Sequence, residues 1–133
     1  MKKIYSLLLF IMSLSVCSFL QAQQPCKKIA FQDADNALAG HYLLKDIMET
    51  GSELLLEKNG QFKWYLTTGG LEQYAEGTWW KNENCIGLKA QSKYKKYLMI
   101  FPTRLDINSP QKLNITWSNG STEGSYVKKI SAE

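Results

Sequence analysis

Residues 53–66 read Glu-Leu-Leu-Leu-Glu-Lys-Asn-Gly-Gln-Phe-Lys-Trp-Tyr-Leu. Phe62, Trp64 and Leu66 alternate with Lys63, Tyr65 and Thr67, and Leu54 and Leu56 alternate with Glu53, Leu55 and Glu57. Successive side chains of a strand point to opposite faces, so this spacing describes two amphipathic strands around a turn at Asn59-Gly60. A two-residue turn would pair Glu57 with Phe62 and Leu55 with Trp64. A three-residue loop, Lys58-Asn59-Gly60, pairs Leu56 with Phe62 and Leu54 with Trp64 instead. Because a slip of one residue turns the core set outward, the longer loop is expected, with Gly60 in the left-handed position of a bulge.

The same period of two continues on both sides. Candidate strands fall at 41–47, 52–57, 61–68, 73–80, 85–90, 96–101, 112–118 and 124–130. Asn59-Gly60, Gly69-Gly70, Asn82-Glu83-Asn84, Ser109-Pro110 and Asn119-Gly120 separate them with turn chemistry. At the fourth turn, a four-residue loop from Lys81 to Asn84 would set Trp79 opposite Ile86 and Gly77 opposite Leu88. Trp79 is then a core residue and Trp80 faces outward beside Cys85, while Gly77 leaves room for a large neighbour or a bend. A short helix fits Ala30 to Leu38. Strands at near-regular spacing with short turns indicate an antiparallel meander, which closes or packs in two layers to avoid exposed edges. The expected fold is all-β: about eight strands in a small closed or half-open barrel.

The stretch from Glu53 to Leu66, followed by Gly69-Gly70, Glu76-Gly77-Thr78-Trp79 and Ile86-Gly87-Leu88, resembles a group of small exported bacterial β-proteins, lipocalin-like in fold and mostly without assigned function. The resemblance covers about a third of the mature chain, and its motif describes hairpin geometry, so it implies a fold rather than an activity. Lipocalins carry Gly-x-Trp on their first strand, whereas Gly77-Thr78-Trp79 lies mid-chain, so no ligand-binding residues are carried over.

Residues 1–22 read as a secretory signal peptide. Lys2 and Lys3 are followed by an apolar run and then by Leu20-Gln21-Ala22, with cleavage expected after Ala22. The apolar core, Leu7 to Leu14 with Ser13 inside it, is about half the roughly 20 residues of a spanning helix. Val16 before Cys17 departs from a lipoprotein signal. Residues 23–133 form one domain, with 14 basic and 12 acidic side chains once Lys2 and Lys3 are gone. That balance gives no electrostatic case for nucleic acid. Cys26 and Cys85 remain in an oxidising compartment, periplasmic or extracellular, where one disulfide is the default.

Chemistry-bearing motifs are sparse. Asp33-Ala34-Asp35-Asn36 begins like a calcium loop, but Leu38 and Leu44 stand where the glycine and glutamate belong. His41 is the chain's one histidine and has no serine or cysteine motif beside it. Glu53, Glu57, Glu72 and Glu76 fall mostly on the solvent phase of their strands. These patterns give no catalytic residue, metal ligand or cofactor site. Lys89, Lys93, Tyr94, Lys95, Lys96 and Tyr97 form a dense basic-aromatic run, read as a solvated strand edge ahead of a surface for anionic glycan or lipid headgroups. Tyr65, Tyr74, Trp80, Tyr94 and Tyr97 are the candidate ligand or partner surface, since such rings combine apolar area with a polar handle. The expectation is a non-enzymatic exported barrel binding a small apolar or amphipathic ligand in its mouth. The alternative is an inhibitor, immunity or envelope accessory protein acting through its outer face. No stable membrane insertion is expected after cleavage, and the barrel interior decides between the two readings.

Overall fold

A computed structural model describes residues 25–29 and 37–130. The segment read as a signal peptide and the calcium-like loop lie outside these residues. Of the expected helix over 30–38 only Ala37 and Leu38 are described, as a 3₁₀ turn.

Eight antiparallel strands form a closed meander barrel: β1 (Gly40–Lys45), β2 (Thr50–Leu56), β3 (Gln61–Thr68), β4 (Leu71–Asn82), β5 (Cys85–Ala90), β6 (Pro102–Ser109), β7 (Lys112–Trp117) and β8 (Ser125–Lys128). One short helix, α1 (Ser92–Lys95), lies between β5 and β6. The hairpin of β2 and β3 has the register its alternation dictates. Leu54 faces Trp64 and Leu56 faces Phe62, with Glu57 N–H donating to Gln61 O across the loop. Gly60 has φ 86°, a region that glycine enters without a Cβ clash.

Two expectations are corrected. The loop between β4 and β5 is Glu83-Asn84, not four residues, so Trp79 faces Leu88, Trp80 faces Gly87 and Gly77 faces Ala90. The two registers differ by two residues and keep the same faces inward, so alternation alone does not separate them. Packing does. The Trp80 ring lies where a Cβ on Gly87 would be, 2.2 Å from it, and a Cβ on Gly77 would lie 1.9 Å from Lys89 O. The room at Gly77 is thus taken by neighbouring backbone. The expected strand over 96–101 is also displaced: α1 and a loop occupy 92–101, and the strand is β6. It starts at Pro102, where a missing N–H costs no ladder bond, and register shifts at 102–104 and 107–109 break its alternation.

The interior is filled. Trp64, Trp79, Trp117, Tyr42, Tyr126 and Phe62 are all 2% exposed or less, with leucine and isoleucine packed between them. Each buried indole N–H has an acceptor: Trp64 donates to Tyr126 Oη (2.8 Å), Trp79 to Glu57 O (2.8 Å) and Trp117 to Glu123 O (2.8 Å). Ser52 Oγ lies 2.7 Å from Tyr126 Oη and donates to Tyr65 O at 2.6 Å. A four-group chain therefore crosses the core with every donor placed, as burial of polar groups demands. Leu38 covers one end, accepting the Tyr42 hydroxyl at 2.6 Å. At the other end the 91–101 segment folds over the wall where β5 and β6 pair only at Cys85–Asp106 and Ile86–Leu105. Gln73 points inward and holds that segment, accepting from Met99 N and Ile100 N and donating to Ile100 O.

Candidate functional site

Strand alternation that sends Leu54, Trp64 and Ala75 inward sends Glu53, Tyr65 and Tyr74 outward as direct neighbours across β2, β3 and β4. The adjacent outward row is His41, Leu55, Lys63 and Glu76 on β1 to β4. Together these rows shape a groove of about 250 Å³ lined by His41, Glu53, Leu55, Lys63, Tyr65 and Tyr74. His41 Nε2 lies 3.3 Å from Glu53 Oε2. Tyr65 and Tyr74 are 38% and 45% exposed, so each offers ring surface as well as a hydroxyl.

The groove continues upward. The ladder between β1 and β2 stops at Leu43–Glu53, although β1 runs on to Lys45 and β2 begins at Thr50. The separating strands bound a second concavity of about 410 Å³ that shares Glu53 and Tyr65 with the first and adds Leu43, Lys45, Gly51 and Thr67. On the opposite flank α1 buttresses the wall. Tyr94 packs edge-on against Tyr74, centroids 5.7 Å apart, and its hydroxyl donates to Glu76 Oε2 at 2.7 Å. That donation holds the Glu76 carboxyl below the usual carboxylate range and pushes the Tyr94 phenol up. Tyr74 is also pushed up, first by desolvation and then by Glu76.

Of the residues singled out from sequence, Tyr65, Tyr74 and Tyr94 come together here. Tyr97 does not; it is 69% exposed just beyond the end of α1, with Lys96 Nζ over its ring. Trp80 is corrected. Its side chain does face away from the barrel axis, but it is only 8% exposed. The Cys26–Cys85 disulfide, with Cα atoms 5.8 Å apart, brings the 25–28 segment across it. Trp80 Nε1 donates to Cys26 O, Asn82 donates to Lys27 O, and Lys28 Nζ sits 5.8 Å above the indole. The ring's contact surface is thus spent within the chain.

Comparison with protein-family models, curated proteins and solved structures finds no match to this chain. The site therefore rests on its own chemistry. Sequence reasoning treated His41 as a strand-edge residue and Glu53 as solvated, and passed over Leu55 and Lys63. One signal was available: Leu55 is an apolar side chain in the outward phase of an otherwise polar face. The barrel mouth holds a smaller open hollow of about 190 Å³ among Ile47, Leu66, Ile100 and Trp117. Among the described residues no three His, Cys, Asp or Glu side chains gather into a metal-holding group, and no helix is long and apolar enough to cross a membrane.

Proposed function

We propose that this is an exported, lipocalin-like, non-enzymatic binding protein that recognises its ligand on the outer wall of β1–β4 rather than inside the barrel. The observation that carries the reading is the filled interior. Three tryptophans, two tyrosines and Phe62 occupy the space that an eight-stranded barrel can otherwise give to one small ligand. Two adjoining concavities of about 250 and 410 Å³ lie outside, with two half-exposed tyrosines beside convergent polar groups, the composition by which binding sites are recognised. The disulfide supports export, since such bonds persist in oxidising compartments.

A photo-crosslinking amino acid placed at position 74, and separately at position 47 in the mouth hollow, tests the choice of surface in the native host. Specific adducts at position 74, competed by excess unlabelled protein, are expected. Adducts confined to position 47 would return the function to the mouth and overturn the reading.

A further inference from the structure

We infer that the groove on β1–β4 takes a neutral oligosaccharide; this rests on the outer-wall reading and names its ligand class. The lining combines two requirements that few other ligands share. Tyr65 and Tyr74 stand directly opposite one another on adjacent strands, with Leu55 beside them, so the floor presents apolar ring surface in one continuous strip. Cross-strand neighbours sit about 5 Å apart, close enough for both rings to meet a single sugar unit through its C–H face. Around that strip stand an acceptor carboxylate (Glu53), a donor ammonium (Lys63), an imidazole (His41) and two phenols. Sugar hydroxyls both donate and accept, so each of these groups finds a partner.

Charge narrows the class. Glu53 and Lys63 are diagonal neighbours of opposite sign on β2 and β3, so the floor of the first concavity holds no excess charge to draw in a phosphate or sulfate, and the second adds only the charge of Lys45. A lipid chain requires an enclosed apolar slot, and this groove is open along its length. An extended peptide that adds to a sheet needs a free strand edge, whereas β3, at the groove's centre, is paired along both sides and the edge of β2 left free of β1 is only Thr50–Ser52. Length points to more than one sugar ring, because the 250 Å³ and 410 Å³ concavities run into one another through Glu53 and Tyr65. The edge-on contact of Tyr94 with Tyr74, and its hydrogen bond to Glu76, fix the platform before any ligand arrives. Prior ordering of this kind lowers the entropic cost of binding.

The test is an amide-resolved NMR titration of the full mature chain with cellohexaose, maltohexaose and chitohexaose in turn, at millimolar concentration. At least one is expected to give saturable shifts centred on Leu55, Lys63, Tyr65 and Tyr74. Tyr74→Ala should weaken binding about tenfold or more, Tyr74→Phe should retain most of it, and Tyr97→Ala should leave it unchanged. Glu53→Gln, which keeps the shape of the side chain, should weaken binding without altering the melting temperature. No saturable shift with any of the three sugars would overturn the ligand class, as would Tyr74→Ala binding like the parent chain. If the sugars fail while crosslinks at position 74 persist, the ligand class is wrong and the outer-wall reading stands. If the crosslinks fail as well, both fall.

Discussion

Replacing Tyr126 with phenylalanine removes one oxygen from the middle of the core chain that runs from Trp64 Nε1 through Tyr126 Oη and Ser52 Oγ to Tyr65 O. The ring volume is kept, so no large cavity forms, but the Trp64 N–H loses its acceptor in a site that water does not reach. An orphaned buried donor costs about 1–3 kcal/mol, and that is the expected loss at pH 7. The same oxygen gives the parent chain a pH dependence. Burial raises the Tyr126 phenol to about 12, with the Ser52 and Trp64 hydrogen bonds pulling partly the other way. An unfolded tyrosine titrates near 10. A raised folded-state value stabilises the fold fully below the unfolded one and loses that contribution as pH climbs through the folded one. Parent stability should therefore fall by about 2–3 kcal/mol across roughly pH 10 to 12 from this residue alone. Tyr42, which burial raises further still, is present in both chains and cancels in the difference. Urea unfolding followed by tryptophan fluorescence at intervals from pH 8 to pH 12 should show the gap between parent and Tyr126→Phe narrowing above pH 10. A gap that stays constant over that range would refute the buried, neutral phenol.

Three further outcomes follow from local geometry. Gly60→Val should cost about 1–2 kcal/mol in urea unfolding, because a β-branched residue is a poor occupant of the left-handed region, and Gly60→Asn should cost less. Replacing Cys26 and Cys85 by serine should cost about 4 kcal/mol, the loop-closure entropy for a separation of 59 residues, and should release Trp80 to iodide quenching. Intact mass before and after reduction reports the bond itself, and two free thiols in the exported chain would contradict it. Gly87→Ala should displace the Trp80 ring from its seat, losing about 1–3 kcal/mol by overpacking, with a red-shifted fluorescence component.

What could be read from the sequence depended on whether a wrong register would change which face is buried. Around Gly60 a slip of one residue exposes Leu54, Leu56, Phe62 and Trp64 together, so alternation and an Asn-Gly turn were enough to fix the loop. Between β4 and β5 a shift of two residues leaves Trp79 inward in either case, and the deciding contact, the Trp80 ring on the bare face of Gly87, is tertiary. β6 was displaced because its bulges interrupt the period of two, while the Leu98 and Ile100 alternation ahead of it imitates a strand. The barrel as a whole was legible, since seven of the eight strands read as amphipathic segments with short turns and leave few other ways to bury one face. The groove was legible only in part. Tyr65, Tyr74 and Tyr94 could be named as surface rings, but their assembly depends on the β3–β4 register together with the docking of α1 on Glu76. The burial of Trp80 depends on a backbone carbonyl 54 residues away, which no local pattern announces.

The central claim is that the barrel is filled and works through its wall. Titration with the fluorescent apolar probe N-phenyl-1-naphthylamine tests it most directly, because a lipocalin-like cavity takes up such a molecule with a sharp rise in emission. The filled core of Trp64, Trp79, Trp117, Tyr42 and Tyr126 predicts no saturable uptake, in the parent chain and in Tyr74→Ala alike. Saturable one-to-one uptake, displaced by a fatty acid and abolished by enlarging the side chain at Leu66 beneath the mouth, would contradict it.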